Sequence, residues 1–348
     1  YKMNARNFFT GIDSLKRNQF GGSLGGPLVI PKLYNGRNRT FFFGSYQGTR
    51  QVTSAPRRAT APSAAMEGGN LSELLGANGS GIVLDPLSGS AFPGNQIPVN
   101  RFDPVSARLL TYMPPSTASN YQLLFPTPST QLNDDQFVGR IDHNLTDTQR
   151  LSFRLMDFYF DNPWVVLPNN LYYVNIGSVD TYHSAVLNYT NVITPNLVNE
   201  FNIGLHLSKA LLVPPASLSA CCDLAGLGSR VNTVPANETF AASITGWAGT
   251  PEAFHRDQRQ TTYLLADNLH YTIGRHQLRF GGDVERYRID YTTYFNAAAS
   301  ASFSGQISAP AGKVSAANRF AEFLLGRFST FRQQTISGYR LYNNYFVL

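Results

Sequence analysis

The sequence predicts an all-β chain that forms part of a transmembrane antiparallel β-barrel, with about ten strands in this stretch. Three observations carry that prediction. Segments of about ten residues alternate apolar and polar side chains, and they come in pairs. The turn inside each pair is short, whereas the connections between pairs are long. No run of about 18 consecutive apolar residues exists to build a membrane helix, and mean hydropathy is −0.19. The clearest strand is 198–207, where Phe201, Ile203, Leu205 and Leu207 share one face and Glu200, Asn202, Gly204 and His206 the other. Side chains alternate with period 2 along a strand. A strand of roughly 9–11 residues, tilted, crosses a bilayer, so the apolar face meets lipid and the polar face a wet lumen.

The elements follow in order. Residues 18–30 alternate Phe20, Leu24, Leu28 and Ile30 against Gln19, Gly21, Ser23 and Gly25. So many glycines in a strand imply close approach of another backbone. A turn at 31–38 leads to a second strand near 39–48, where Phe41-Phe42-Phe43 leaves the facing ambiguous. Residues 51–133 lose the period and fill with Pro, Ala, Ser, Gly and Asn. Asp103-Pro104 there predicts a short helix over 103–110, with Asp as N-cap and Pro at the first helical position. A connection of this length is usually functional or mobile. Paired strands resume at 136–143 with 150–160, at 181–193 with 198–212, and at 261–273 with 276–291. The last segments are 319–336 and 339–348, the former opening with a helical turn at Phe320–Gly326. Short turns on one side and long loops on the other match periplasmic turns and extracellular loops. A soluble sandwich has turn signals every 8–12 residues at both ends. Tyr182, Tyr189, Tyr271, Tyr342 and Tyr345 lie in or beside strands and suit interfacial girdles, as they would also suit the core of a soluble sheet.

The 348-residue chain carries a net charge of +6, but its basic residues are scattered, with Lys16-Arg17 and Arg57-Arg58 the densest sites. That distribution argues against a nucleic-acid partner. The two cysteines, Cys221 and Cys222, are adjacent. Bonded to each other they would staple nothing distant, and no metal-ligand spacing surrounds them. The start at Tyr1 and the end within the strand-like Tyr345–Leu348 are those expected of an internal piece of a longer protein.

Catalytic patterns are weak throughout, and an enzyme is not expected. The six histidines are dispersed. The Gly21–Gly26 run lacks the Gly-Lys-Ser/Thr ending of a phosphate loop. Asp157 and Asp161 share a face with Tyr159 near a strand end, where a solvated rim is the default and calcium the alternative. No cofactor or metal is called for. The polar strand faces instead supply lumen-facing candidates for ligand contact: Arg140, Arg154, Glu200, Asn202, His206, Arg279 and Glu285. The loops near 51–133 and 213–258 are the other candidates.

Particular residues also carry a family resemblance. The motifs are Asn4–Phe9, Arg17-Asn18-Gln19-Phe20-Gly21-Gly22-Ser23-Leu24-Gly25-Gly26-Pro27, Thr40–Arg50, Phe92-Pro93-Gly94-Asn95-Gln96-Ile97-Pro98, Arg101–Leu110, Gln136–His143, Asn199-Glu200-Phe201, Gly274–Asp283 and Phe320–Gly326. In this order, over essentially the whole chain, they resemble the Oar-like TonB-dependent receptors of acidobacteria and related soil bacteria. The resemblance implies an outer-membrane receptor with a barrel of about 22 strands around a plug, and uptake driven by the inner-membrane TonB complex. Residues 1–17 would end the plug region and 18–348 would form the N-terminal part of the barrel, incomplete at its C-terminus. The partners implied are outer-membrane lipid, TonB through a plug region absent here, and an unknown solute: carbohydrate, siderophore or peptide. Gly21, Ser23 and Gly25, facing inward, would let a plug pack closely. Two other readings stay open, a passive porin-like channel and a soluble extracellular β-rich protein binding glycans or surfaces.

Overall fold

Among the described residues, nine long antiparallel strands follow one another in chain order and form one sheet, each paired with the next. They are β1 (Lys16–Pro27), β2 (Thr40–Thr53), β3 (Thr130–Asn144), β4 (Gln149–Asn162), β5 (Ser178–Thr194), β6 (Leu197–Leu212), β7 (Arg256–Ile273), β8 (His276–Thr293) and β9 (Ile336–Val347). The computed structural model describes residues 6–7, 11–12, 15–54, 56–76, 78–126, 128–167, 169–215, 239–334 and 336–347, as backbone only at 6–7, 11–12 and 336–347. Cys221, Cys222 and the rest of 216–238, within the loop at 213–258, lie outside the described residues.

The register sorts the side chains into two faces, because residues directly opposite on antiparallel strands project to the same side. One cross-strand row reads Ile141, Phe153, Leu187, Ile203, Leu265, Val284. Its members are uncovered: Ile141 is 48% exposed, Leu265 46% and Val284 40%. No second protein layer packs on this face among the described residues, as an apolar surface meeting lipid requires. The adjacent row on the opposite face reads Arg140, Arg154, Val186, Gly204, Leu264, Glu285. The Phe run resolves by the same rule. Phe42 pairs with Ile141 and faces outward, while Phe43 pairs with Arg140 and Phe41 with Asp142 on the polar side. Tyr189 and Tyr271 lie in outward rows with Phe201 and Leu278. Tyr182 does not: it pairs with Ser208 on the inner face, so it belongs to no girdle.

Strand connections are as asymmetric as the sequence suggests. β3 and β4 are joined through 145–148, β5 and β6 through Pro195-Asn196, and β7 and β8 through Gly274-Arg275, where Gly274 supplies a φ of 58°. β1 and β2 are joined at the same end by 28–39, which contains its own two-residue pairing of Val29–Ile30 with Tyr34–Asn35. The opposite end carries the long connections. The helical turn expected at Phe320–Gly326 is present, but the strand expected over the rest of 319–336 is reduced to Thr330–Arg332. Residues 316–324 form helix α3 (Ala316–Leu324), and Thr330–Arg332 joins a small sheet with Ser300–Phe303 and Ala241–Ile244. Ser315 and Asn318 close a capping box at its start, so local hydrogen bonding begins the helix a turn earlier than Phe320.

Among the described residues, the buried hydrophobic cluster lies outside the barrel wall. Met66, Leu71, Ile97, Leu109 and Met113 from the connection after β2 pack with Leu171 from the connection after β4. Trp247, from the connection after β6, and Phe303, Phe320 and Phe323, from the connection after β8, complete it. Long extracellular loops thus fold into a cap. Burial of a side chain such as Phe320 or Phe323, both at 0% exposure, contributes roughly 1.5–3 kcal/mol. Helices α1 (Ala64–Glu67) and α2 (Pro104–Leu110) belong to this layer. α2 begins as predicted, with the Asp103 carboxylate accepting from Val105 N at 3.0 Å and Ser106 N at 3.1 Å.

Candidate functional site

All seven predicted lumen residues project from the same polar face, and the fold gathers four of them in two places: Arg140 with Arg154, and Glu200 with Arg279 around Asn268 and His270. Arg140 on β3 stands opposite Arg154 on β4. Like charges directly opposed repel, and Asp142 relieves the crowding. Its carboxylate accepts from Arg140 Nε at 2.8 Å and from Arg150 Nη2 at 2.9 Å. Phe43, Val138, Arg140, Asp142, Arg150 and Arg154 line a shallow depression of about 520 Å³. Three guanidinium groups against one carboxylate make it a basic surface suited to a carboxylate or phosphate. Asp142 and Arg150 are additions to the predicted set. Both share the strand parity of Arg140 and Arg154, so extending the alternation count would have found them.

The remaining candidates are spread along β6 and β8. His206 stacks on Tyr182 with ring centroids 6.1 Å apart, and its Nδ1 lies 3.1 Å from the Tyr182 hydroxyl. Glu200 lies 3.5 Å from His270 Nε2. Arg279 donates to Asn268 Oδ1 at 3.1 Å. Glu285 accepts from the Tyr287 hydroxyl. Asn202 sits in the row of Asn188 and Ala266. Such a surface offers hydrogen bonds and dispersed charge along a wall. Among the described residues, no group of three or more His, Cys, Asp or Glu side chains converges as a metal site. Asp157, the earlier calcium alternative, faces outward and pairs with His183 at 3.1 Å.

The glycine stripe lies on the inner face as expected, opposite Gln47, Ser45 and Phe43. Its cause is local. A Cβ on Gly21 would lie 2.3 Å from the Tyr46 carbonyl oxygen. The backbone that approaches closely is therefore the neighbouring strand β2.

Above the wall, the cap is held by buried polar groups. Glu322, at 0% exposure, accepts from Gly305 N at 2.7 Å, Ile307 N at 2.5 Å and Ser308 N at 3.2 Å. Asn318 Nδ2 donates to Ile82 O at 2.7 Å and Ser308 O at 2.8 Å, tying the first long loop to the last. Asp103 N donates to Leu324 O at 2.8 Å, a second tie between the same loops. Asn95, in a left-handed conformation, donates to Leu71 O and Gly81 O and accepts from Val83 N. Two carboxyls of the cap are shifted in opposite directions. The Arg101 fork holds Asp85 down to about 2, and burial pushes Glu67 up to about 7. Burial, and then the nearby Glu67, raise the Tyr172 phenol.

An uncovered apolar face, an inner polar face and a meander of nine strands define a membrane wall. Residues 1–347 match the family model described as the outer membrane beta barrel domain. The chain belongs to that family. This outer-membrane barrel protein is therefore located in the outer membrane, which removes the soluble extracellular reading. No curated protein matches it. Among solved structures, the outer membrane transporter YddB from Escherichia coli is similar at 9% identity and a TM-score of 0.41, over 84% of this chain and 28% of that one. The open form of the ferric-catecholate import receptor Fiu from E. coli is similar at 12% identity and a TM-score of 0.39, over 96% of this chain and 44% of that one. The barrel chain spans less than half the length of either.

Proposed function

We propose that this chain is the N-terminal part of an Oar-like TonB-dependent receptor barrel, working in energised uptake of a large or scarce solute. The observation that carries the reading is the ordered cap. Loops from the outer end share one hydrophobic core with the Glu322 and Asn318 networks, so the mouth presents a built surface for capturing a solute. The sequence resemblance supports the same reading, with residues 1–17 as the end of a plug and 18–348 as barrel. The lumenal Arg140, Arg150 and Arg154 favour an acidic group in whatever contacts this wall.

Uptake in cells expressing the complete gene tests the proposal. Accumulation of the solute that rescues growth should collapse when TonB energisation is removed. Equal accumulation with and without energisation would sink it and favour the passive channel.

A further inference from the structure

Towards the cap the apolar outward face is interrupted on three adjacent strands by basic side chains. Going outward on β8, Val284 is followed by Arg286, Arg288 and Asp290, all of the same strand parity. On β7 the sequence is Leu265, Tyr263, Thr261, Arg259, Asp257, and on β6 it is Ile203, Leu205, Leu207, Lys209, Leu211. The register joins them into one patch. Tyr263 pairs with Arg286, Thr261 with Arg288, and Lys209 with Arg259. Arg259 and Arg288 are 60% and 56% exposed. Because the patch is on the end that carries the long loops, it lies at the outer leaflet.

We infer that Lys209, Arg259, Arg286 and Arg288 form a docking surface for the phosphate-bearing headgroups of outer-leaflet lipid. Four cations face two carboxylates, Asp257 at 2.7 Å from Arg259 and Asp290 at 3.3 Å from Arg288. Neither Lys209 nor Arg286 has a carboxylate within 4.0 Å among the described residues. Lys209 directly opposite Arg259 is a repulsive pair on its own, and an anion between them converts the repulsion into two charge-assisted hydrogen bonds. The patch continues the lipid-facing surface without a break, and Tyr263, at 51% exposure, sits at the changeover as an interfacial aromatic does. The aliphatic stems cover the last of the apolar surface while the charged heads reach the headgroup layer.

Binding of bisphosphorylated lipid A to the full-length protein in detergent, read by native mass spectrometry, tests this. The variant K209Q/R259Q/R286Q/R288Q should bind about tenfold more weakly, and wild type should lose as much when the lipid is dephosphorylated. The inner-face variant R140Q/R150Q/R154Q should bind as wild type does. Unchanged binding by the outward variant, equal binding of dephosphorylated lipid, or an equal loss in the inner-face variant would overturn the inference. So would displacement of the lipid by millimolar inorganic phosphate, which marks a free-anion site. Folding is judged by heat-modifiable gel migration. Should the quadruple variant not fold, K209Q/R259Q and R286Q/R288Q replace it, and each should lose at least threefold.

Discussion

Arg140 and Arg154 face each other across β3 and β4, and the Asp142 carboxylate binds the former at 2.8 Å while holding Arg150 at 2.9 Å. The carboxylate is what lets three guanidinium groups share one patch of wall. Asp142→Ala should destabilise the barrel by roughly 0.5–1 kcal/mol, the scale of exposed ion pairs. Adding Arg154→Gln should recover part of the loss, because the unrelieved repulsion goes with it. Urea unfolding in micelles at low and high salt measures both, and the effect should shrink at high salt.

Gly21 and Gly22 are neighbours with opposite tolerances. A Cβ on Gly21 meets the Tyr46 carbonyl oxygen at 2.3 Å, whereas one on Gly22 meets nothing within 4 Å. Gly21→Ala should reduce the folded, heat-modifiable fraction, since backbone must shift to admit the methyl. Gly22→Ala should leave that fraction unchanged.

Phe320 is fully buried and packs against Trp247, with ring centroids 5.8 Å apart. Phe320→Ala should destabilise the cap by about 3–5 kcal/mol. Limited proteolysis should then cut the long loops while the strands stay protected, because no member of that cluster lies on a long strand of the wall among the described residues.

Glu322 turns the loop at 304–308 around its carboxylate. Glu322→Ala strands three backbone N–H donors, each costing about 1–3 kcal/mol if left unsatisfied. Cleavage within 304–308 should accelerate sharply. Glu322→Gln, which keeps one acceptor oxygen, should show a smaller increase.

Glu67 makes the cap's stability depend on pH. Burial raises its folded pKa from an ordinary 4.5 to about 7, so between these values the folded state holds a proton that the unfolded state has released. Stability contributed by this site is greatest below about 4.5, falls as pH rises to about 7, and then levels off. Asp85 acts in the opposite sense: its pairing with Arg101 lowers it to about 2, and that stabilisation fades as pH drops from 3.8 towards 2. Protease resistance of the cap between pH 5 and 8 should decline in wild type and stay flat for this site in Glu67→Gln.

Period-2 alternation alone determined the wall. The parity of Phe201, Ile203 and Leu205 against Glu200, Asn202 and His206 assigns faces without any tertiary information, because strand geometry forces successive side chains apart. Turn lengths likewise determined which end bears the loops, and Asp103-Pro104 marked a helix through local hydrogen bonding. Parity says nothing about which same-face residues are neighbours. Only the strand register set Arg140 beside Arg154 and gathered Glu200 and Arg279 around Asn268 and His270, since register depends on pairings between strands distant in sequence. The cap was the least legible part. Met66, Leu171, Trp247 and Phe320 come from four separate connections that follow no strand period. Their common core exists only once the barrel wall brings the loop ends together.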